Sequence, residues 1–99
     1  MAGPIYKLFL NRFTAAYHDA PQETVNQMLA EFEEVSGRLG IKMVVLCEAG
    51  GWASEEWDFW GVSEFPNLEA LQKLKEWQDS VHWFKYVESM SVLGSKPAE

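Results

Sequence analysis

Cysteine and long apolar runs are both nearly missing from this sequence. The chain has one cysteine, Cys47, so it can form neither an internal disulfide nor a cluster of thiolate metal ligands. No stretch approaches the roughly 18–20 consecutive apolar residues of a membrane-spanning helix. The N-terminus also lacks a basic segment followed by an apolar run. We therefore expect a cytoplasmic protein with no membrane partner.

Basic side chains are scarce as well. Eight lysines and arginines stand against 15 aspartates and glutamates, which gives a formal charge of -7 at pH 7 and an isoelectric point near 4.7. A charge of this sign repels the phosphate backbones of DNA and RNA. We therefore expect no nucleic-acid partner.

Sequence motifs for metal or phosphate binding are missing too. The two histidines, His18 and His82, are far apart in the chain and have no ligand-spaced neighbour, so no structural metal site is expected. Gly50-Gly51 lacks the lysine and the helix start of a phosphate-binding loop. The sequence predicts no cofactor, and no catalytic motif names a reaction.

Aromatic residues, in contrast, are abundant. The 99 residues are 47% hydrophobic and include five tryptophans, three tyrosines and six phenylalanines. This length suits one domain, residues 1–99, ordered over about 4–94 and followed by a polar tail at 95–99. Small domains bury only about 60–70% of the surface that the unfolded chain exposes. Part of the aromatic surface is therefore expected in an interface or a ligand cavity.

The first part of the chain predicts a strand followed by a helix. Ile5 to Phe13 is rich in β-branched, aromatic and aliphatic residues and predicts the first strand. Apolar residues from Val25 to Leu39 then follow helical spacing and predict a helix that begins at Asp19 or Ala20, with Asp19 as the expected N-terminal cap. Gly37 or Gly40 is expected to end this helix.

A hairpin is predicted next. The dense aliphatic run Ile41 to Glu48 predicts a second strand covered on both faces. Gly50-Gly51 is the strongest turn signal, in a loop from Ala49 to Glu56 that leads to a third strand from Trp57 to Phe65. The second and third strands should pair antiparallel.

The last part of the chain predicts a helix and a strand. Asn67 is the expected cap of a helix from Leu68 to Gln78, which carries an apolar stripe. Val81 to Lys85 would add one short turn, and Tyr86 to Leu93 alternates as a fourth strand.

The order β-α-β-β-α-β folds into a four-stranded antiparallel sheet with both helices on one face, the ferredoxin-like α+β plait. Apolar residues fall on both faces of its strands. In the first strand, Tyr6, Leu8 and Leu10 alternate with Ile5, Phe9 and Phe13. Since large apolar patches rarely stay exposed in monomers, the second face needs a cover. We therefore predict a homodimer formed through the sheet face.

This element order over nearly the whole chain, and above all the segment from Trp57 to Leu93, resembles the dimeric α+β barrel superfamily, in which two plaits pack sheet to sheet. In that segment the third strand is followed by the turn Phe65-Pro66-Asn67, a helix and the cluster Val81-His82-Trp83-Phe84. The superfamily includes cofactor-independent monooxygenases, small isomerases, polyketide cyclases, dehydratases and haem-degrading enzymes. The resemblance implies a dimeric barrel without choosing among these activities.

Two residues also resemble the haem-degrading monooxygenases of that superfamily. Asn11, at the end of the first strand, matches an asparagine of those enzymes, and His82 stands where their haem-ligating histidine follows the second helix. The tryptophan that those enzymes carry before this histidine is replaced here by Gln72. The resemblance therefore implies haem binding or haem degradation only as a minority alternative.

Polar residues that interrupt an apolar lining are the candidates for chemistry. They are Arg12, Asp58, Glu64, His82, Tyr86 and Glu88. His82 is the candidate acid or base because an imidazole titrates near neutrality, and the alternative is a surface histidine at a helix end. Asp58 is a reserve base or a solvated carboxylate at a strand end. Tyr86 completes the candidate catalytic set, unless its hydroxyl only bonds to the backbone.

The candidate substrate-binding residues are one cation and several aromatic or amide side chains. Arg12 shares strand parity with the apolar stripe that starts at Tyr6, so it would bind a carboxylate or an enolate oxygen, or pair with a carboxylate across the dimer. Trp52 would cap a pocket or the subunit interface. The full set is Arg12, Tyr6, Asn11, Trp60, Phe84 and Trp52.

These residues predict a small cofactor-independent enzyme that acts on an aromatic or polyketide-like molecule in an apolar cavity, by cyclisation, isomerisation or monooxygenation. The alternative is a non-catalytic small-molecule-binding or dimerisation module. A cavity filled by Trp57, Phe59, Trp60 and Phe84 would favour that alternative.

Overall fold

The protein is a four-stranded antiparallel sheet with helices on one face. The computed structural model describes residues 3–49, 52–53 and 56–97. Its elements are β1 (Ile5–Phe13), α1 (Ala15–Asp19), α2 (Gln22–Arg38), β2 (Lys42–Glu48), β3 (Phe59–Phe65), α3 (Leu68–Ser80), α4 (Trp83–Tyr86) and β4 (Val87–Gly94). The strand order is β2-β3-β1-β4. The predicted ferredoxin-like α+β plait is confirmed, and no described helix is both long and apolar enough to cross a membrane.

Helix α2 begins later than predicted, and Asp19 does not cap it. The Oγ1 of Thr14 accepts a hydrogen bond from the Tyr17 N–H and caps the short helix α1, which takes up Asp19 as its last residue. Pro21 then precedes α2 without any side-chain cap. The prediction of Asp19 as a cap is wrong because local capping by Thr14 starts a separate helix before the amphipathic one.

The predictions for the last part of the chain agree more closely with the structure. The Oδ1 of Asn67 accepts a hydrogen bond from the Ala70 N–H at 2.8 Å and caps α3 as expected. Helix α4 takes the place of the predicted extra turn. Strands β2 and β3 pair antiparallel as predicted, while the predicted turn at Gly50-Gly51 lies outside the described residues.

The core lies between the sheet and the two long helices. Phe65, only 1% exposed, packs with Val35, Ala70 and Leu74 from α2 and α3. A second buried cluster joins α2 and α4 to the start of β4, and its members are Met28, Trp83 and Val87. The Phe32 ring stacks on Trp83 at a centroid distance of 5.0 Å and contacts both clusters. Aromatic residues therefore fill the space beneath the helices.

Strand β2 is exposed, although the sequence predicts a strand covered on both faces. Every residue from Lys42 to Leu46 is exposed in this chain. The strand is at the edge of the sheet, and its pairing with β3 is irregular between Met43 and Val45. The prediction is wrong for the single chain. An aliphatic run indicates that a strand will be buried, but it does not show that helices of the same chain will bury it.

Candidate functional site

The sheet face that carries no helix is mainly apolar. Since Phe9 and Phe65 pack toward the helices, the alternate residues of each strand point away from them. Strand pairing places Leu8 between Val62 and Val92 on this second face. We define the open face by its apolar residues, which are Leu8, Leu10, Val45, Trp60, Val62, Met90 and Val92. Leu8 is 43%, Met90 58% and Val92 64% exposed, so the face lacks cover in the single chain.

An ion pair closes one end of the open face. The Nη2 of Arg12 lies 2.8 Å from the Oε2 of Glu88 across the β1–β4 pair. The Nη1 of Arg12 donates to the carbonyl oxygen of Glu56 at 3.4 Å, and the guanidinium lies 5.2 Å from the Trp57 ring. The hydrogen bond to Glu88 is the main cause that raises the pKa of Arg12. Arg12 thus pairs with a carboxylate of its own chain.

A groove with a polar rim lies at the other end of the open face. The groove has a volume of about 340 Å³, and the side chains of Leu8, Val62 and Val92 contribute to its lining. On its rim the hydroxyl of Tyr6 donates to the Oε1 of Glu64 at 2.9 Å, and the Lys96 Nζ lies 5.7 Å from the Tyr6 ring. The volume is in the range of about 300–1,000 Å³ that small-molecule sites occupy.

These two ends are separate sites. Tyr6 and Arg12 are both on β1 and share a face, but six residues of extended chain separate them by about 20 Å. The sequence prediction that the two share one face with the apolar stripe is therefore compatible with the structure. A single small ligand cannot contact both side chains.

Asp58 and Asn11 lie where β1 ends and β3 begins. The Oδ2 of Asp58 accepts a hydrogen bond from the Phe13 N–H at 2.9 Å, and the Asp58 N–H donates to the Asn11 carbonyl at 2.9 Å. The Oδ1 of Asn11 accepts a hydrogen bond from the Ser89 hydroxyl at 2.7 Å. Both side chains therefore help to hold this end of the sheet.

His82, Phe84 and Tyr86 lie together on the helix side of the sheet, away from the open face. His82 is exposed and precedes α4 with φ 57° and ψ 40°, in the left-handed region. Tyr86 packs against the cluster that contains Trp83 and Val87. Its carbonyl accepts the Thr14 N–H, next to the Phe13 N–H that Asp58 accepts. Tyr86 and Asp58 therefore bond to two adjacent residues of β1 and its end, Thr14 and Phe13.

Trp60 and Trp52 have different environments. Trp60 is on the open face beside Leu10 and Cys47. Trp52 is 84% exposed and lines neither the groove at Tyr6 nor a second groove of about 680 Å³ between α2 and α3 that Arg38 and Trp77 border. The candidate substrate-binding residues are therefore spread over both sides of the sheet.

Solved structures share this architecture. A protein of unknown function from Rhodopseudomonas palustris matches with a TM-score of 0.66 and 27% identity, over 98% of this chain and 86% of that one. A mutant chlorite dismutase from Candidatus Nitrospira defluvii in complex with cyanide matches with a TM-score of 0.71 and 16% identity, over 98% of this chain but 42% of that one. The chain has the ferredoxin-like fold of the dimeric α+β barrels. No family model and no curated protein matches it.

The resemblance of Asn11 and His82 to haem-degrading monooxygenases implies haem as a cofactor. The environment of these residues in the structure does not fit haem. Trp83, next to His82, is buried and packs against Phe32 and Trp77 at centroid distances of 5.0 and 5.8 Å. The Asn11 amide oxygen is bonded to Ser89. Neither of the two grooves described above borders His82 or Asn11. We therefore derive no step through haem.

Two lysines with notable environments, Lys96 and Lys7, were not among the residues that the sequence predicted for a site. Lys96 lies on the rim of the groove, but its position in a polar tail gave no signal. Lys7 is half-buried and points to the helix side of the sheet; burial first and the charge of Lys75 second lower its pKa. The alternation of β1 gave a signal for Lys7, because it has the same parity as Ile5 and Phe9.

Proposed function

We propose that this protein forms a homodimer through the open face and binds a small apolar molecule in the groove beside Tyr6. The observation that carries the proposal is the exposure of a continuous apolar surface across all four strands, which includes Leu8, Met90 and Val92. Contiguous apolar patches of this kind mark interaction surfaces. A second copy offers the same surface, so the contact can be self-complementary around a two-fold axis.

Charge favours a second copy as the occupant. The open face and its ends carry three basic side chains, Arg12, Lys42 and Lys96, and four acidic ones, which are Glu64, Glu88 and, beside Arg12, Glu56 and Asp58. This surface is nearly neutral although the chain carries -7. Two acidic molecules can therefore meet here without the repulsion that their other surfaces would cause.

The groove would become a closed site in the dimer. In one chain it is a shallow depression over Leu8, Val62 and Val92, and a second sheet packed on it would exclude water from a bound ligand. Glu64 and Lys96 offer an acceptor and a cation at the rim. The ligand that fits is a hydrophobic or aromatic molecule with one polar group.

The oligomeric state tests the first half of this proposal. We expect sedimentation equilibrium to give twice the chain mass for the wild type and a monomer for Leu8→Glu, since the new carboxylate would lie between Val62 and Val92. Leu68→Glu is the matched control: Leu68 is 53% exposed but lies on α3, so this variant should remain a dimer. Circular dichroism should show that all three are folded. A monomeric wild type, or a dimeric Leu8→Glu, would contradict the proposal.

Native mass spectrometry of freshly purified protein tests the second half. We expect the wild-type dimer to retain an added organic mass, and we expect Leu8→Glu to lose it. Val92→Trp, which fills the groove, should displace the ligand and leave the dimer intact. Retention of the same mass by Val92→Trp would place the ligand elsewhere and overturn the groove assignment.

A catalytic role of His82 is a second candidate function, and one observation favours it. The left-handed backbone of a non-glycine residue costs roughly 1–2 kcal/mol and is found at functional sites. An exposed imidazole held there would act as the acid or base in a cofactor-independent proton transfer on an aromatic or polyketide-like molecule, with Tyr86 at the end of the short helix α4 that His82 precedes.

His82→Gly separates this catalytic role from a structural one. Glycine adopts positive φ without cost, so the variant should be more stable by about 1 kcal/mol in urea unfolding. It should also lose turnover of an aromatic or polyketide-like substrate, which would have to bind on the helix side of the sheet, away from the open-face groove. His82→Ala keeps the strained backbone and is the control for stability. Unchanged turnover in His82→Gly would exclude His82 from the mechanism.

A further inference from the structure

We propose that the groove beside Tyr6 binds an amphipathic acid, whose carboxylate meets the ammonium group of Lys96. The apolar body of the acid would lie over Leu8, Val62 and Val92, which line the groove. This inference rests on the proposed function, because it uses the same groove, and it adds the chemical class of the ligand. A neutral alcohol and an amine are the alternative classes, and the three differ in what they require of the rim.

The floor of the groove is apolar, and its polar side chains are confined to one end. Leu8, Val62 and Val92 are aliphatic and lie side by side on three neighbouring strands. The polar side chains that border the groove are Tyr6, Ser95 and Lys96. Tyr6 is near the start of β1, and the other two residues directly follow β4. A ligand that matches this surface therefore has an apolar body and one polar end.

Gly94 leaves space for a polar headgroup at this end. It pairs with Tyr6 across β1 and β4, so the two residues face the same side of the sheet. Nothing lies within 4 Å of the place that a Cβ on Gly94 would occupy. The missing side chain leaves room for a carboxylate beside the Tyr6 ring, where the chain leads on to Lys96.

Lys96 is a cation without an acidic partner. Its Nζ lies 5.7 Å from the centroid of the Tyr6 ring, a contact that favours a position of the ammonium group at the rim of the groove. Over the part of the chain that the structure describes, no carboxylate forms an ion pair with Lys96. The ammonium group can therefore donate to a ligand carboxylate, and charge-assisted hydrogen bonds of this kind are stronger than those between neutral groups.

The neighbouring carboxylate of Glu64 does not reverse this preference. Its Oε1 accepts the hydroxyl of Tyr6 at 2.9 Å, and Lys42 is its neighbour across β2 and β3. Two lysines and one glutamate give this end of the open face a charge of +1, although the whole chain carries -7. A ligand ammonium would meet a single carboxylate between two lysines, whereas a ligand carboxylate would neutralise the remaining positive charge. Charge therefore favours an acid over an amine.

Three probes with the same alkyl chain and different polar ends test this assignment. They are decanoate, decan-1-ol and decylamine, each titrated by calorimetry into the full chain. We expect decanoate to bind more tightly than the other two by about tenfold, because hydrogen bonds to charged groups contribute more than neutral ones. Val92→Trp, which fills the groove, should abolish binding of all three.

Variants of Lys96 test the residue itself. Lys96→Met should weaken decanoate by about tenfold and leave decan-1-ol unchanged, while Lys96→Arg, which keeps the charge, should retain most of the decanoate affinity. Lys85→Met is the matched control: the Lys85 Nζ lies 5.6 Å from the Tyr86 ring, but this pair is on α4, on the helix side of the sheet. Decanoate should bind to Lys85→Met as it does to the wild type.

The possible failures are distinguishable. Decan-1-ol or decylamine binding as tightly as decanoate would contradict the acid, and so would equal losses of decanoate affinity in Lys96→Met and Lys85→Met, which would indicate a general charge effect. In both cases the groove would still be supported, provided that Val92→Trp abolishes binding. Binding of none of the probes, or binding that Val92→Trp leaves unchanged, would instead contradict the groove and with it both proposals.

Discussion

The two faces of the sheet have similarly apolar residues but differ in how much of them is exposed to solvent. On the helix side, Phe65 is 1% exposed, whereas on the open face Val92 is 64% exposed. The amino acids are equally hydrophobic, and only the first face is covered by elements of the same chain. Apolar alternation thus shows that a face needs a cover, but it does not identify what provides the cover.

The charges on the two faces differ in the opposite sense. On the open face Arg12 pairs with Glu88 at 2.8 Å, and Glu64 accepts the Tyr6 hydroxyl at 2.9 Å. On the helix side, Lys7 has no acidic partner in the described part of the chain. The arginine and these two carboxylates of the open face thus have partners, while the half-buried Lys7 of the covered face has no counter-charge among the described residues.

Truncation of one residue on each face should give the largest difference. Phe65→Ala should destabilise the chain by about 3–5 kcal/mol, because it opens a cavity among Val35, Ala70 and Leu74. Leu8→Ala should cost less than about 1 kcal/mol in dilute protein and more as concentration rises, since stability gained by association depends on concentration. Urea unfolding at two protein concentrations measures both. Equal losses that do not change with concentration would show that the faces are equivalent.

A glycine in β3 tests how tightly the helix side is packed. A Cβ at Gly61 would clash with the carbonyl oxygen of Val45 and would lie 2.7 Å from the Cζ of Phe9. Because the clash involves backbone, Gly61→Ala should cost about 1–3 kcal/mol. Gly94→Ala is the matched control, since nothing lies within 4 Å of a Cβ there, and its midpoint in urea should stay close to the wild type. A neutral Gly61→Ala would mean that β2 is free to shift at the sheet edge.

Local signals predicted much of this fold. The β1 bounds and the Asn67 cap follow from residue type and spacing, and both agree with the structure. The Asp19 cap failed because Thr14, a nearby alternative, starts α1 first. The exposure of β2 could not be read from its own residues, because it depends on where the strand lies in the sheet.

The candidate site was less predictable because strand parity fixes a face and not a distance. Arg12 and Tyr6 share a face, yet they lie about 20 Å apart along β1. His82 and Phe84 lie on the other side of the sheet because α4 interrupts the chain before β4. Whether these residues act together depends on the partner and the ligand, which the chain alone does not encode in any local pattern.

The pH dependence of stability should show the smallest effect, and it concerns the unpaired charge of the helix side. Burial lowers the pKa of Lys7 below the ordinary lysine value of 10.5. Between the lowered pKa of Lys7 in the folded chain and its ordinary value in the unfolded chain, the unfolded chain holds more protons. The contribution of Lys7 therefore makes the free energy of unfolding rise with pH in that range. At pH 7 both states are protonated, and the cost of burying the ammonium is fully present.

Lys7→Met removes that cost, so its stability advantage over the wild type should be greatest near pH 7 and should shrink as the pH approaches 10.5. Urea midpoints of both proteins over this range measure the difference, and Lys73→Met, whose lysine is exposed, should show no such trend. The apolar methionine side chain adds only a constant offset, because it does not titrate. A difference that stays constant with pH would mean that Lys7 keeps its full hydration in the fold and that its burial carries no electrostatic cost.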